Sequence, residues 1–271
     1  MQRTGGRTHL AIQHRSACAG VEAVTVASDR SFPRHAHDEY GVGLMSAGAH
    51  RTSSRIGLVE AGAGDVVTIN PGEMHDGASP DGRPREWRML YFEPALVACE
   101  LGPEMAAGAE ITRPALRDAV VAERFERLFR NVTAAGADRL ALEEDLLKLL
   151  MGVFRRYGAR PLPGPGRSPS VGKALRRLEA APETPTSLAA LAELAGVSRF
   201  QLLRGFAREV GTTPHAYLVQ LRIRLARRLL AAGRSPAETA IEAGFADQSH
   251  LTRAFVRQLG VTPARYRAAV A

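Results

Sequence analysis

The chain has 271 residues, of which 45% are hydrophobic, so it is long enough for two domains that each bury a core. Its formal net charge of +8 lies entirely beyond residue 170, where 15 Lys and Arg stand against 7 Asp and Glu, while residues 1–170 carry 21 of each. A basic excess of this kind is typical of a segment that binds nucleic acid. The sequence has no run of 18 apolar residues and no signal-peptide pattern, which predicts a cytoplasmic protein.

The cysteines of the sequence are Cys18 and Cys99. They form no C-x-x-C pair, and two cysteines are too few for a disulfide framework or a zinc ribbon. We expect both to be reduced thiols.

The segment 20–92 predicts a β-rich first domain. Short alternating or β-branched runs occur at 21–26, 41–45 and 66–69, and glycine or proline separates them. Strands of this length and spacing are typical of an antiparallel sandwich or barrel.

Two histidine motifs lie within this segment. The first reads RHAHDE at 34–39 and forms an H-x-H pair on a predicted strand. The second reads NPGEMH at 70–75 and places a third histidine after a P-G turn. Together they resemble the two motifs of the cupin barrels.

In metal-binding cupins, the resemblance implies three histidine ligands, which here are His35, His37 and His75. It also implies a glutamate several residues beyond the second histidine. At that spacing this chain has glycines at 41 and 43, and Glu39 is the acidic residue nearby.

Two helices are predicted after the β-rich segment, at 114–132 and 138–157. Each has an apolar face at helical spacing, marked by Phe125 and Phe129 in the first and by Leu142 and Leu149 in the second. The simplest role of this helical hairpin is to pack against the sheet. Subunit contact, and hence a dimer, is the alternative.

Residues 158–170 read GARPLPGPGRSPS and predict a linker, because proline and glycine at this density prevent a continuing helix. The sequence therefore predicts an α+β chain of two domains. The first, residues 1–157, is expected to be a barrel with the helical hairpin at about 114–157, which the resemblance makes cupin-like, and the second, residues 171–271, is expected to be all-helical.

A repeat lies in the basic C-terminal segment. Residues 202–217 read LLRGFAREVGTTPHAY, and residues 251–266 read LTRAFVRQLGVTPARY, with eight of sixteen positions identical. Unrelated segments would share about one such match, so a duplicated supersecondary unit is the better explanation.

The first copy predicts a helix-turn-helix unit. A short helix at 188–195 is followed by a turn at 195–197, and Ser198 with Gln201 forms a capping box that starts the second helix. With Leu202 and Phe206 facing the core, helical geometry turns three other side chains outward. These predicted base contacts are Phe200, Leu203 and Arg204.

The second copy repeats the plan with a turn that is one residue longer. Leu251 and Phe255 are expected to face inward, so that the predicted base contacts are Gln248, Ser249, Thr252 and Arg253. Arginine suits guanine, glutamine suits adenine and an apolar group suits a thymine methyl. The arginines predicted to contact phosphates are Arg199, Arg208 and Arg257.

A long helix is predicted between the copies, at 214–231, with an apolar residue every four positions: Tyr217, Leu221, Leu225 and Leu229. It would hold the two recognition helices so that they enter successive major grooves about 34 Å apart. Four arginines on this helix are expected to be solvated or to touch the DNA backbone, namely Arg222, Arg224, Arg227 and Arg228.

Residues 171–271 resemble the DNA-binding domain of the AraC/XylS family of bacterial transcription regulators. The matching positions are AGVS at 195–198, Leu202, Arg204, Phe206, AGF at 243–245, DQSHL at 247–251, Arg253, Phe255, GVTP at 260–263 and Tyr266. The resemblance implies seven helices, two helix-turn-helix units and the outward residues as base readers. It also implies a cupin sensor domain, which fits the N-terminal motifs.

The same resemblance implies that the barrel binds a small effector, and we expect no cofactor and no metal there. The residues expected to contact the effector are Arg34, His35, His37, Glu39, Tyr40, His75 and Trp87. Two alternatives stay open. Either His35, His37 and His75 hold a divalent metal, or the two motifs are polar strand ends with structural hydrogen bonds.

The sequence thus predicts a transcription factor rather than an enzyme, with double-stranded DNA and a small molecule as partners. RNA polymerase and a second copy of the chain are further candidate partners. A metal-dependent cupin enzyme with a DNA-binding tail is one rival, and a nonspecific nucleic-acid binder is another. The sequence lacks G-x-S-x-G, a Walker loop and a G-x-G-x-x-G after a strand.

Overall fold

The computed structural model describes residues 9–102, 109–159 and 168–270. The chain divides between Pro161 and Leu162 into two compact units. The predicted linker at 158–170 carries structure at both ends, because Gly158–Ala159 is a short strand and a helix begins at Pro169. Its middle part, 160–167, lies outside the described residues.

The N-terminal unit is built on one six-stranded antiparallel sheet. Its strands are β1 (His9–His14), β2 (Val21–Ser28), β4 (Tyr40–Ala47), β7 (Val66–Ile69), β9 (Arg85–Phe92) and β11 (Ala115–Leu116). Their order across the sheet is β1-β2-β9-β4-β7-β11. The β-rich character predicted for this half of the chain is confirmed.

The described part of the unit, 9–102 and 109–159, contains three further strand pairs. They are β3 (Phe32–His35) with β8 (His75–Gly77), β5 (Ala49–Ser54) with β6 (Gly57–Gly62), and β10 (Glu110–Ile111) with β12 (Gly158–Ala159). Backbone hydrogen bonds in both directions between Arg51 and Ala78 join the β5–β6 pair to the chain just after β8.

Among the described residues of the N-terminal unit, three helices follow: α1 (Pro94–Leu101), α2 (Ala119–Thr133) and α3 (Arg139–Tyr157). Apolar residues of α2 and α3 form one core with one face of the large sheet, including Phe125, Leu149, Leu90 and Phe92. The hairpin therefore packs on the sheet, as its apolar periodicity predicts.

The first helix of the hairpin begins later than the predicted residue 114. Ala115–Leu116 pairs with β7 instead, and the Asp118 side chain accepts hydrogen bonds from the backbone N–H groups of Val120 and Val121. An aspartate in this position satisfies amides that have no partner within the helix, so the helix starts at Ala119.

Seven helices form the C-terminal unit within the described range 168–270. They are α4 (Pro169–Ala180), α5 (Leu188–Ala195), α6 (Arg199–Val210), α7 (Pro214–Ala231), α8 (Pro236–Glu242), α9 (Gln248–Leu259) and α10 (Pro263–Val270). The number implied by the family resemblance is confirmed. In the described ranges, no helix combines the length and the apolar character that a membrane crossing requires.

The sequence repeat is also a structural repeat. The rings of Phe206 and Tyr217 lie 5.7 Å apart at 67°, and those of Phe255 and Tyr266 lie 5.5 Å apart at the same angle. Edge-to-face pairs of this kind stabilise a core beyond simple burial. The two copies therefore share the scaffold that holds α6 and α9.

The buried face of α7 differs from the predicted stripe. Leu218, Leu221, Ile223, Ala226 and Leu230 are buried, whereas Tyr217, Leu225 and Leu229 are only partly buried. A helix that packs against both helix-turn-helix copies buries a wider face than one residue in every four.

Candidate functional site

The first recognition helix is α6, and its start is fixed by the predicted capping box. The Ser198 hydroxyl accepts the backbone N–H of Gln201, and the Gln201 side chain accepts that of Ser198. Gly196 closes the preceding α5 with φ of 70°. The turn is therefore held by the backbone on one side and by side-chain hydrogen bonds on the other.

The outward face of α6 carries the three predicted base contacts. Phe200 is 66% exposed and Leu203 38% exposed, whereas Leu202 and Phe206 are buried. The guanidinium of the exposed Arg204 lies over the Phe200 ring, 5.5 Å from its centroid. This cation–π contact holds the arginine on the outward surface.

The second recognition helix, α9, has a different N-cap. Asp247 accepts the backbone N–H of His250 at 2.7 Å, and the turn from Gly244 to this cap is one residue longer than in the first copy. The longer turn was predicted from the sequence, whereas Asp247 as the cap was not. The available signal was an aspartate directly before a segment whose apolar residues recur at helical spacing.

The outward face of α9 is more polar than that of α6. Gln248, Ser249 and Arg253 are exposed, and Thr252 is partly exposed with its hydroxyl donating to the Gln248 carbonyl at 2.8 Å. Thr252 therefore offers its methyl group and an acceptor lone pair rather than a free hydroxyl donor.

All three arginines predicted at phosphates are exposed. Arg208 forms an ion pair with Glu209 at 2.8 Å. A surface pair of this kind contributes about 0–1 kcal/mol, so it does not prevent Arg208 from turning to a phosphate. Arg257 lies four residues after Arg253 on the same helix.

Two of the four arginines on α7 have internal roles instead of the expected surface ones. Arg227 is buried, and its Nε–H group donates a hydrogen bond to the Tyr266 hydroxyl oxygen, with 3.3 Å between the nitrogen and the oxygen. Its guanidinium lies over the Tyr266 ring. Arg222 donates to the Pro182 carbonyl at 2.8 Å. These contacts join α7 to its neighbours within the unit.

In the N-terminal unit, the three histidines of the two sequence motifs meet in one cluster. Nitrogen atoms of His35, His37 and His75 all lie within 4.8 Å of one another, and all three side chains are buried. His35 and His75 are register partners in the β3–β8 pair. Burial lowers the pKa of His35 to about 3 and that of His75 to about 4, so both rings are neutral at physiological pH.

The other predicted effector contacts divide into two groups. Trp87 is buried on the inward face of β9, and Arg34 is exposed and donates to the Met74 carbonyl, beside the cluster. Glu39 is partly exposed. Tyr40 lies elsewhere, because the alternation of β4 turns it to the helical hairpin, where its ring packs on Phe154. Its hydroxyl donates to the Ala109 carbonyl, next to β10.

Two interior residues, Arg85 and His50, were not among the predicted contacts. Arg85 is 1% exposed, donates to His50 at 3.0 Å and lies 5.0 Å from the Trp87 ring centroid. Desolvation lowers the pKa of Arg85 to about 10, which still leaves it charged at neutral pH. Its period-two spacing from Trp87 on β9 is the signal that could have found it.

Glycines occupy β4 where metal-binding cupins place a glutamate. A Cβ at Gly43 would collide with the Met89 sulfur, and one at Gly41 would lie 3.2 Å from the Met89 methyl and 3.3 Å from the Tyr91 ring. Met89 thus fills this part of the interior, which explains why neither position carries a side chain.

The comparisons with known proteins agree with both halves of this description. An AraC-like ligand-binding domain matches residues 21–150, and a helix-turn-helix domain matches residues 191–269. The uncharacterized HTH-type transcriptional regulator YbfI of Bacillus subtilis (strain 168) is 30% identical over 237 residues, which cover 82% of each chain. The chain belongs to the AraC/XylS family. It is a transcriptional regulator with a ligand-binding domain and a helix-turn-helix DNA-binding domain.

Other relatives and structures fit this family. The transcriptional activator RclR of Escherichia coli (strain K12) is 32% identical over 100 residues, which cover 36% of this chain and 35% of RclR. ToxT from Vibrio cholerae O395 has a similar fold, with a TM-score of 0.54 at 10% identity, over 97% of this chain and 98% of ToxT. A ToxT structure from strain SCE256 was solved with an unsaturated fatty acid bound; its TM-score is 0.53 at 13% identity, over 100% of this chain and 98% of ToxT.

Proposed function

We propose that this AraC/XylS regulator reads a specific DNA sequence with the outward faces of α6 and α9. The observation that carries the proposal is that the two helices share their inward residues but differ outward. The outward set on α6 is Phe200, Leu203 and Arg204, and that on α9 is Gln248, Ser249, Thr252 and Arg253. Equivalent scaffolds with unequal exposed faces suit an asymmetric site read in two major grooves.

Phosphate contacts supply the remainder of the proposed interface. The excess of eight positive charges lies C-terminal to residue 170, and Arg199, Arg208 and Arg257 are exposed there. Such contacts give affinity without sequence preference, whereas contacts to base edges give the preference.

Two variants on one helix separate these roles. Arg253→Ala and Arg257→Ala remove the same charge from exposed positions of α9. We expect Arg253→Ala to weaken the free energy of binding to the preferred site by about 1–3 kcal/mol and to change binding to unrelated DNA little. A bidentate contact to a base discriminates between bases by about that amount. Arg257→Ala should weaken binding to all sequences alike. It should also reduce the salt dependence of binding by the contribution of about one phosphate contact.

The measurement is the binding constant on preferred and scrambled duplexes at several salt concentrations. A uniform loss in Arg253→Ala would contradict base readout by α9 and favour the rival of a nonspecific nucleic-acid binder.

We further propose that a small-molecule effector binds inside the N-terminal β structure. The proposed contacts are Arg34, His35, His37, Glu39, His75 and Trp87, with Tyr40 left out because of its placement. The match to an AraC-like ligand-binding domain supports this proposal. The fatty acid bound to ToxT supports it as an example of a ligand held by a protein of similar fold.

Trp87 provides the test of effector binding, because it is the single tryptophan of the chain and lies in the interior. A metabolite that binds there should change the tryptophan emission with saturation and should change the affinity for the selected DNA site. A ligand that changes the affinity for DNA while leaving the Trp87 emission unchanged would place the effector elsewhere.

We also propose that two copies of the chain associate through the helical hairpin. Leu140 is 67% and Leu147 40% exposed, seven residues apart on one face of α3. Leu140→Glu with Leu147→Glu should shift the sedimenting species to the monomer, while Leu194→Glu, at an exposed leucine of the other unit, should not. Equal sedimentation of all variants would contradict this dimer.

The relatives named above are transcriptional regulators, and we infer that this chain regulates transcription without catalysing a reaction. Its site of action in this proposal is the cytoplasm, with RNA polymerase as a further partner. In vitro transcription from a promoter that carries the selected site tests the last point, and an unchanged transcript level with bound regulator would contradict it.

A further inference from the structure

The outward face of α6 carries four exposed residues that follow one another at helical spacing. They are Phe200, Leu203, Arg204 and Ala207, and we call them the α6 stripe. Along this helix, which is described throughout, Arg204 is the one polar member of the stripe. The stripe therefore offers a DNA groove one set of hydrogen-bond donors, and its remaining contacts are apolar.

Phe200 and Arg204 form a pair within this stripe. They lie four residues apart, so their side chains are neighbours on the helix surface. The guanidinium carbon of Arg204 is 5.5 Å from the centroid of the Phe200 ring. A cation–π contact restricts the guanidinium before it meets a ligand, so less side-chain entropy is lost on binding. Phe200 therefore positions Arg204 for contacts beyond the protein surface.

The second copy keeps the arginine of this pair and replaces the ring. Arg253 on α9 corresponds to Arg204, but Ser249 stands where α6 has Phe200. Ser249 is exposed, and its hydroxyl group both donates and accepts, whereas Phe200 presents a hydrocarbon ring. The two helices thus present the same cation beside different neighbours, and α9 is an internal control for α6.

The pair matches two features of the major groove. Guanine presents N7 and O6, which a guanidinium contacts together, and thymine presents an apolar C5-methyl group that suits an aromatic ring. Stacked base pairs are about 3.4 Å apart, which is less than the 5.5 Å between the Phe200 ring and the Arg204 guanidinium. The ring and the guanidinium therefore reach neighbouring base pairs rather than the same one.

The apolar part of the stripe responds to the methyl group and to little else on a pyrimidine. Thymine and cytosine differ at C4, where thymine has a carbonyl acceptor and cytosine an amino donor. Neither Phe200 nor Leu203 has a side-chain group that forms a hydrogen bond with either of them. 5-Methylcytosine carries its methyl group on the same ring carbon as thymine, so the stripe meets the same apolar surface on both bases.

We propose that Phe200 and Arg204 act as one unit that reads a C5-methylated pyrimidine next to a guanine, with Phe200 also positioning Arg204. The proposal rests on the proposed function, because α6 must lie in a major groove. It goes further by naming the base step and by extending recognition from thymine to 5-methylcytosine. Methylation of a cytosine at such a step would then strengthen the binding of this regulator.

The first measurement uses the full wild-type chain and a duplex that carries a site selected from random DNA. The guanine read by Arg204 is the one whose replacement by 7-deazaguanine, which lacks the N7 acceptor, weakens the wild-type chain but not Arg204→Ala. The neighbouring pyrimidine is then thymine or uracil opposite adenine, and 5-methylcytosine or cytosine opposite guanine. We expect the methyl group to strengthen binding by about fourfold in both comparisons, which is the effect of one buried methylene group.

Two single variants assign the methyl effect to the ring. Phe200→Ala should remove it, so that thymine and uracil bind alike, because the hydrocarbon surface that meets the methyl group is gone. Ser249→Ala, at the corresponding exposed position of α9, should keep the full effect. Circular dichroism verifies the fold of each variant, and the wild-type comparison of thymine with uracil needs no variant at all.

A double-mutant cycle tests the positioning role. The loss of affinity caused by Arg204→Ala should be about two- to fivefold smaller in the Phe200→Ala background than in the wild-type chain, as expected for an exposed cation–π contact. The loss caused by Arg253→Ala should be the same in both backgrounds. Additive losses for Phe200 and Arg204 would overturn the positioning role.

The remaining outcomes separate this proposal from base reading in general. Equal affinity of the wild-type chain for the methylated and unmethylated bases would overturn methyl recognition, as would a methyl effect that survives Phe200→Ala. If Arg204→Ala still relaxes the preference for the guanine in that case, base reading by α6 stands. If Arg204→Ala relaxes no preference, the proposed function of α6 fails, and the present proposal fails with it.

Discussion

Gly244, in the turn of the second helix-turn-helix unit, gives the sharpest stability prediction. Its φ of 80° lies in the left-handed region, and a Cβ there would lie 2.5 Å from the carbonyl oxygen of Glu183 and 2.8 Å from its Cα. These are backbone atoms, so the clash cannot be relieved by a rotamer change. Gly196, in the turn of the first unit, has a φ of 70° and nothing within 4 Å of the same added atom.

Comparing alanine variants of the two glycines therefore separates the cost of left-handed backbone strain from the cost of a steric clash with Glu183. An L-residue in the left-handed conformation costs about 1–2 kcal/mol, and alanine recovers about 0.4–1 kcal/mol by restricting the unfolded chain. Gly196→Ala should thus lower the free energy of unfolding by about 1 kcal/mol. Gly244→Ala adds an overpacking cost of about 1–3 kcal/mol, which gives a total of about 2–4 kcal/mol.

Urea unfolding of the full chain measures both variants. Far-UV circular dichroism follows the helices, while the emission of Trp87 reports on the N-terminal unit and serves as an internal control. The emission transition should stay at the wild-type midpoint in both variants. Equal loss of stability in Gly196→Ala and Gly244→Ala would refute the collision with Glu183.

Three further predictions concern single contacts. Ser198→Ala removes the cap of α6 and should lower the free energy of unfolding by about 1 kcal/mol in the same urea assay. Arg227→Met removes a buried hydrogen bond and a cation–π contact to Tyr266, and a loss of about 1–3 kcal/mol is expected there, whereas no loss would contradict the internal role of this arginine. Burial, and after it the charge of Arg85, lowers the pKa of His50 from 6.5 to about 4 in the folded chain. The unfolded chain therefore binds the proton at a higher pH than the folded chain does. As a result, the free energy of unfolding decreases as the pH falls from about 6.5 towards 4. In the presence of chelator, His50→Gln should make the calorimetric melting temperature less dependent on pH in that window, and an unchanged dependence would contradict the assignment.

The helical half of the fold was predictable because its signals are local. The buried pairs Leu202 with Phe206 and Leu251 with Phe255 follow the helical period, and Ser198 caps α6 at the predicted residue. The capping boxes depend on residues three positions apart, and such signals need no knowledge of tertiary structure.

The interior of the β-rich half was less predictable because it depends on strand pairing. The histidine motifs were visible in the sequence, but the meeting of His37 with His75 follows from the pairing of β3 with β8. Tyr40 stands directly after the first motif, yet its strand turns it to the helical hairpin. Which face a strand residue occupies changes with a shift of one position, so sequence proximity to a motif is a weak guide.

Selection of bound sites from random DNA by the full wild-type chain tests the central claim most directly. If α6 and α9 read successive major grooves, the recovered sites should share two conserved elements about one helical turn, or about 10 base pairs, apart. Arg204→Ala should relax the preference in one element and Arg253→Ala in the other. Recovery of unrelated sequences, or of a single element that neither variant changes, would contradict the account.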